Sequence, residues 1–143
     1  MIFVKIRRPS RSRLILTAAA VILVWAFGAT ALAMTTDMAT ETDRNAFLKE
    51  CGYETAEEYV TDTVTIPADF NQIYQDYNAL QRVSGYDLSL FRGKTVTRYT
   101  YTVLNVSPEE TVLVHLLVSE GTLIGGDMMN PALDGWMKGL PKR

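Results

Sequence analysis

The pattern of apolar and polar positions divides the chain into one continuous apolar stretch and a longer, alternating remainder. The stretch runs from Leu14 to Ala33, twenty residues without a charge. It follows a leader, residues 1–13, that carries five basic residues and no acidic one. A helix of twenty residues is about 30 Å long, which matches the hydrocarbon core of a bilayer. The pattern therefore predicts a transmembrane or signal helix within residues 1–33.

Two interpretations of this segment remain open. Its length favours a permanent single-pass anchor. Its tail of small residues ends in Ala31-Leu32-Ala33, an A-x-A signal for cleavage near Ala33 and secretion. Both interpretations keep the basic leader in the cytoplasm and place the C-terminal part outside the cell membrane.

The remainder predicts a short polar linker over residues 34–42 and one extracytoplasmic domain over residues 43–143. Apolar residues recur at helical spacing in residues 43–51 and again in residues 68–84. The longer helix would bury a single face, which consists of Phe70, Ile73, Tyr74, Tyr77 and Leu80.

Alternation of apolar and polar residues predicts strands over residues 59–66 and 95–104, and a nearly continuous apolar run predicts the central strand over residues 111–119. The turn signal Glu120-Gly121 predicts a short return strand over residues 122–126. Asn130 and Pro131 resemble the start of a closing helix, with Met129, Leu133, Trp136 and Leu140 along its apolar side. The predicted fold class is α+β, a small antiparallel sheet packed on one long amphipathic helix.

Composition changes this picture in one respect. The net charge is −2, but five of the fourteen basic residues belong to the leader. The exported part retains nine basic residues against sixteen acidic ones, and an acidic surface of this kind argues against binding nucleic acid or anionic lipid. Cys51 is the single cysteine, so we expect no intrachain disulfide and a buried, inert thiol.

Candidate chemistry is sparse. His115 is the single histidine, and it alternates with Leu113 and Leu117 in the predicted central strand. It would need converging partners such as Asp127 and Asp134, and the sequence does not show whether the three meet. No pair of histidines or cysteines has metal-ligand spacing. We therefore predict no catalytic residue, no cofactor and no metal site, and a protein that is not an enzyme.

Three weaker patterns have ordinary structural explanations. Gly125-Gly126-Asp127 lacks the rest of a phosphate-binding loop and is typical of a strand end and turn. Asn105-Val106-Ser107 matches a glycosylation acceptor that is common by chance. Several tyrosines indicate core packing or a ligand groove between helix and sheet: Tyr74, Tyr77, Tyr86, Tyr99 and Tyr101.

An ordered series of motifs resembles domain-of-unknown-function family 4830. The series comprises NAFLKECGY, VTIP, IYQDYNALQ, GYDLSLFRGK, RYTYTV, LLV, IGGD and PALDG, between Asn45 and Gly135. The resemblance implies an exported or membrane-attached bacterial protein, and it implies no activity or catalytic residue. We predict a non-catalytic extracytoplasmic interaction module for a protein or envelope component. The alternative is a small-molecule sensor that uses the tyrosine-lined groove.

The mass of the mature protein from its native membrane fraction distinguishes the two N-terminal interpretations. An anchor retains the full 16.0 kDa chain in the membrane, because nothing removes residues 1–33. Cleavage yields a shorter chain that begins at Met34 and is released from the membrane. Intact-mass spectrometry of the membrane and soluble fractions is the measurement. A full-length chain in the soluble fraction would contradict both interpretations.

Overall fold

The structure is a computed structural model that describes residues 36–142. The predicted membrane or signal segment, residues 14–33, lies outside the described residues. Within residues 36–142, no helix is long and apolar enough to span a bilayer.

A five-stranded antiparallel sheet forms the centre of the domain, with its strands in chain order. The strands are β1 (Thr55–Thr65), β2 (Thr95–Val103), β3 (Val112–Ser119), β4 (Thr122–Met129) and β5 (Met137–Gly139). Two α-helices are described, α1 (Glu41–Glu50) and α2 (Gln72–Val83), and a 3₁₀ turn spans Leu88–Phe91. The predicted α+β class with an antiparallel sheet is therefore confirmed.

The first helix begins two residues before the predicted start because Thr40 caps it. The Thr40 hydroxyl accepts from the Asp43 amide at 3.1 Å, and the Asp43 carboxylate accepts from the Thr40 amide at 3.2 Å. This reciprocal pair satisfies two backbone donors that the first turn leaves unpaired. Gly52 follows the helix at φ +85°, a conformation that favours glycine, so the helix ends there.

Helix α1 covers one face of the sheet. Phe47 and Leu48 enter the larger of the two apolar clusters, together with Met38 and the side chains of β2 to β4 on that face. Met38 is fully buried, and Asp37 forms a β-bridge with Thr122. The part of the predicted linker that is described, residues 36–42, therefore packs within the fold.

A buried arginine holds this face together. Arg44 is only 4% exposed, and its Nε donates to the Tyr101 hydroxyl at 2.9 Å. Its two terminal nitrogens donate to the Met38 carbonyl and the Tyr59 hydroxyl, and its guanidinium lies 3.8 Å from the centre of the Tyr99 ring. Burial alone would lower the pKa of Arg44, but the hydrogen bond to Tyr101 and the nearby phenols hold it above its ordinary value.

Helix α2 packs on the opposite face, and its predicted buried face is confirmed in part: Tyr74 and Tyr77, with Phe70 just before the helix, pack against the smaller apolar cluster. Ile73 is 78% exposed, whereas Asn78 and Gln81 are buried. Asn78 accepts from the Leu88 amide at 2.7 Å, and Gln81 accepts from the Gly126 amide at 2.8 Å. These two side-chain carboxamides pair with backbone N–H groups of neighbouring segments. The helix can therefore bury polar side chains at positions where an apolar pattern would predict leucine.

The predicted helix after Asn130 is wrong. Asn130 starts a tight turn in which its side chain accepts from the Ala132 amide at 2.7 Å, and the chain then forms β5. A Cβ at position 135 would overlap the Asn130 carbonyl oxygen, so Gly135 permits the turn to close. Leu133 is exposed and Leu140 is buried, so the predicted apolar side of a helix does not exist.

Replacing Arg44 by methionine tests the interior of the α1 face. The change leaves the Tyr101 hydroxyl and the Met38 carbonyl unpaired in the interior, so we expect a loss of about 2–4 kcal/mol in the free energy of unfolding. Urea denaturation is the measurement. Lys49→Ala on the exposed side of the same helix is the control and should change stability by less than about 0.5 kcal/mol. Equal denaturation midpoints for the two variants would contradict this account.

Candidate functional site

A cavity of about 260 Å³ lies between α2 and the sheet. Its walls are mostly apolar and come from Val64, Leu117, Met129, Met137 and the ring of Tyr74. Its main polar groups belong to four residues on four elements, Tyr77 of α2, Arg98 of β2, His115 of β3 and Asp127 of β4, and Thr65 of β1 also lines the space. We call this space the α2 cavity.

The strand register brings the polar groups together. Asp127 lies directly opposite His115 in the β3–β4 pair, and Arg98 lies opposite Asp62 in the β1–β2 pair. Directly opposed residues point to the same face of an antiparallel sheet, and here that is the face that α2 covers. The side chains of Arg98, His115 and Asp127 therefore all lie on the α2 face of the sheet.

Asp127 lies inside a strand because of the glycines before it. The sequence predicts a strand end at Gly126 and a turn at Asp127, but β4 continues to Met129. A Cβ on Gly126 would overlap the carbonyl oxygen of His115, and a Cβ on Gly125 would lie 2.8 Å from the Gln81 side-chain oxygen. The glycines thus permit the close approach of β3 and α2, and the predicted turn is corrected to a strand interior.

His115, Asp127 and Tyr77 form a buried hydrogen-bonded chain. The His115 Nδ1 lies 2.8 Å from one Asp127 carboxyl oxygen, and the Tyr77 hydroxyl donates to the other at 2.7 Å. The side chains of His115 and Asp127 are only 12% and 4% exposed. Burial, and then the neighbouring Asp127, raises the pKa of the Tyr77 hydroxyl well above its ordinary value, so the phenol stays a donor.

This chain determines which ring nitrogen of His115 remains for a ligand. A carboxylate only accepts hydrogen bonds, so Nδ1 carries the hydrogen that Asp127 receives. Nε2 has no hydrogen-bond partner within residues 36–142, and His115 lines the cavity. The neutral ring therefore offers Nε2 to the cavity as an acceptor, and the protonated ring offers it as a donor.

Arg98 is held by Asp62 on the neighbouring strand. Its Nε and Nη2 donate to the two carboxylate oxygens at 3.0 and 2.5 Å. The hydrogen bond from Arg98 lowers the pKa of Asp62, and the same bond raises the pKa of Arg98. Both side chains are more than a third exposed, so the pair adds little stability, but its fork geometry orients the guanidinium at the cavity.

The structure brings together two of the three candidate catalytic residues. His115 and Asp127 are in contact, whereas Asp134 is exposed in the turn before β5 and does not line the α2 cavity. The structure therefore does not bring Asp134 to the cavity with His115 and Asp127. The contribution of Arg98 was not predicted from the sequence. The pattern that could have indicated it is a single arginine beside Thr100 and Thr102 on the polar side of the predicted strand.

The predicted tyrosine groove is divided between the two faces of the sheet. Tyr74 and Tyr77 line the α2 cavity. Tyr99 and Tyr101 lie on the α1 face, and Tyr86 packs against the same cluster. Tyr99 and Tyr101 alternate along β2 with Arg98 and therefore point away from the α2 cavity. A single groove that contains all five rings is excluded.

The remaining candidates have structural roles. The Asn105 side chain accepts from the Glu54 amide at 3.0 Å and donates to the Gly52 carbonyl at 2.8 Å, so it ties two loops together. Cys51 caps the end of α1 and is half-buried rather than buried. Glu57 and Glu58 are exposed on β1, an edge strand. Within residues 36–142, no group of three or more acidic, histidine or cysteine side chains is arranged to hold a metal ion.

Comparison with known families finds a match, and it covers the polar residues of the α2 cavity. The family model described as domain of unknown function (DUF4830) matches residues 47–128, which include the polar residues of the α2 cavity. The chain belongs to the DUF4830 family. This confirms the resemblance noted in the sequence. No curated protein and no solved structure matches the chain.

Proposed function

We propose that this DUF4830 protein is a non-catalytic extracytoplasmic module of a bacterial cell, and that it binds a small molecule in the α2 cavity. It is anchored through residues 14–33, or it is secreted after cleavage near Ala33. The observation that carries the proposal is a cavity whose apolar walls surround a small set of fixed polar groups. That combination is typical of ligand sites, where apolar surface supplies affinity and a few polar groups supply orientation.

The size of the cavity supports a small ligand. At about 30 Å³ per water molecule in the liquid, 260 Å³ corresponds to roughly nine waters. A compound of about ten non-hydrogen atoms would fill that space. The polar groups are already oriented by their partners, Arg98 by Asp62 and His115 by Asp127, so little side-chain freedom is lost on binding.

The same geometry favours binding over catalysis. Asp127 accepts from both His115 and Tyr77, an arrangement that holds two rings in place. Asp134, which would have supplied a second carboxylate, lies elsewhere in an exposed turn. In this proposal His115 and Arg98 contact the ligand and do not transform it.

The basic leader and the acidic remainder support the location. Cationic residues before an apolar segment remain in the cytoplasm, which directs residues 34–143 to the outside. The absence of a second cysteine in the sequence is compatible with an exterior where disulfides would otherwise form.

A second candidate is binding of a protein or envelope partner, and one observation favours it. Beside the α2 cavity, an uncovered part of the same sheet face is lined by Val60, Thr100, Thr102 and Leu113, and Val60 is 64% exposed. A photo-crosslinking residue at position 60 in intact cells should capture a reproducible partner. The same residue at Leu104, which is 59% exposed in the β2–β3 loop, is the control and should not capture that partner. Identical products at both positions would count against this candidate.

Blocking the cavity tests the small-molecule proposal. Met137 lines the cavity and is 45% exposed, so tryptophan there should occupy ligand space without disturbing the core. A ligand at ten times its Kd should stabilise the native chain by about 1.4 kcal/mol, which raises Tm by about 5 °C or more. Thermal denaturation with a set of neutral, acidic and basic compounds of about ten non-hydrogen atoms is the measurement.

Met137→Trp should abolish that rise in Tm. Leu133→Trp is the matched control, because Leu133 is fully exposed and lies outside the cavity, and it should retain the rise. If no compound of any class stabilises the native chain, or if both tryptophan variants respond equally, the small-molecule proposal fails.

A further inference from the structure

The α2 cavity presents hydrogen-bond donors to its interior and keeps its acidic group covered. Arg98 uses Nε and Nη2 for Asp62, which leaves Nη1 without a partner among residues 36–142. Its side chain is 37% exposed. Asp127 also lines the cavity, but its side chain is only 4% exposed and both of its oxygens are occupied by His115 and Tyr77. A ligand therefore meets Arg98 and His115 before it meets a carboxylate.

The charges around His115 come from four elements. Asp127 of β4 contacts its Nδ1, Arg98 of β2 shares the cavity wall, Tyr77 of α2 contacts Asp127, and Asp62 of β1 lies close enough to interact with it electrostatically. With a neutral His115, one arginine faces two carboxylates. An anionic ligand would add a third negative charge to that group, and a proton on Nε2 would offset it.

We propose that the ligand of the α2 cavity is an apolar monocarboxylate held by Arg98 and His115, and that His115 takes up one proton from solvent when the ligand binds. The proposal rests on the function proposed above. The ligand carboxylate accepts from Nη1 of Arg98 and from the newly protonated Nε2 of His115. Nδ1 keeps its hydrogen and its hydrogen bond to Asp127. The only covalent change is that an N–H bond forms at Nε2 while the solvent or buffer acid that donates the proton loses its bond to that hydrogen.

The apolar part of the ligand is set by the remaining walls. Val64, Leu117, Met129 and Met137 offer only hydrocarbon and thioether surface, and Tyr74 offers a ring. Methionine side chains adapt to rings and to branched chains alike. The fitting class is a carboxylic acid whose single charged end is attached to an aromatic or branched apolar body of about seven or eight non-hydrogen atoms, within the volume estimated above.

A matched series of probes tests the charge requirement. Phenylacetate, phenylacetamide and 2-phenylethylamine share a benzyl body and carry an anionic, a neutral and a cationic end. Isothermal titration of the full chain in nonionic detergent should show that phenylacetate binds at least tenfold more tightly than the other two. Tighter binding of the amide or the amine, or binding of none of the three, would overturn this inference. The small-molecule proposal would still stand on the thermal denaturation of the native chain with the wider set of compounds.

Proton uptake is measured on the unaltered protein, so its result does not depend on a variant that folds. At pH 8, titration with phenylacetate in phosphate and in Tris should give heats that differ by the difference between the ionisation enthalpies of the two buffers, multiplied by one proton per ligand. The Kd should also weaken as the pH rises, because one proton is taken up with the ligand. Equal heats in the two buffers would overturn the proposal.

Two variants identify the residues. His115→Gln retains a donor for Asp127 but cannot take up a proton, so phenylacetate should bind at least tenfold more weakly and without buffer dependence. Arg98→Gln should also weaken binding at least tenfold. Arg82→Gln removes an exposed arginine that pairs with Asp87 outside the cavity, and it should bind as the native chain does. Retained buffer dependence in His115→Gln would assign the proton to another group and overturn the proposal.

The carboxylate could belong to a free acid or to the C-terminus of a peptide. N-acetyl-leucyl-phenylalanine presents the same chemistry as a chain terminus, and its C-terminal amide is the control. Tighter binding of the free dipeptide than of phenylacetate, with loss on amidation, assigns the ligand to peptide termini. The opposite order assigns it to free acids. Both results preserve the role of Arg98 and His115.

Discussion

The buried carboxyl group of Asp127 is the constraint that the α2 side of the domain depends on. A buried polar group without a partner costs about 1–3 kcal/mol, which is a large part of the stability of a small domain. Asp127 avoids this cost through His115 on the adjacent strand and Tyr77 on α2. The helix therefore lies over β4, where Gln81 also accepts from the Gly126 amide. The hydrogen bond from Ser84 to the Leu140 carbonyl at 2.5 Å fixes the other end of α2 beside β5.

Each face of the sheet contains one arginine that is held by hydrogen bonds, but the two arginines differ in exposure. On the α1 face, Arg44 is enclosed by three tyrosines and a backbone carbonyl, and its contacts are all internal. On the α2 face, Arg98 is held by one acidic partner and remains more than a third exposed. An arginine whose three nitrogens all donate within the fold stabilises that fold, whereas an arginine with one nitrogen unpaired among residues 36–142 remains available to another molecule. This difference supports the proposal that the α2 face is the one that binds a ligand.

Much of the sheet could be predicted because strand alternation has a period of two and is visible locally in β2 and β3. The face of α2 could be predicted only in part. Tyr74 and Tyr77 pack inward as expected, but Asn78 and Gln81 are buried by bonds to the backbone at Leu88 and Gly126, which the apolar pattern of the helix does not show. The closing helix was predicted from a 4-3-4 spacing that the turn at Gly135 overrides. The contact between His115 and Asp127 depends on the register of β3 against β4. It could not be predicted because Gly125 and Gly126 are typical of the end of a strand, whereas they lie inside β4. The membrane or signal segment, residues 14–33, stays a prediction.

His115 is the single imidazole in the chain, and it lines the α2 cavity. Its ring protons therefore give an aromatic NMR signal that needs no assignment, because no second histidine competes with it. The line position of that signal reports the electronic state of one ring at one place. The protein thus carries its own spectroscopic probe of the cavity, with neither a label nor a substitution.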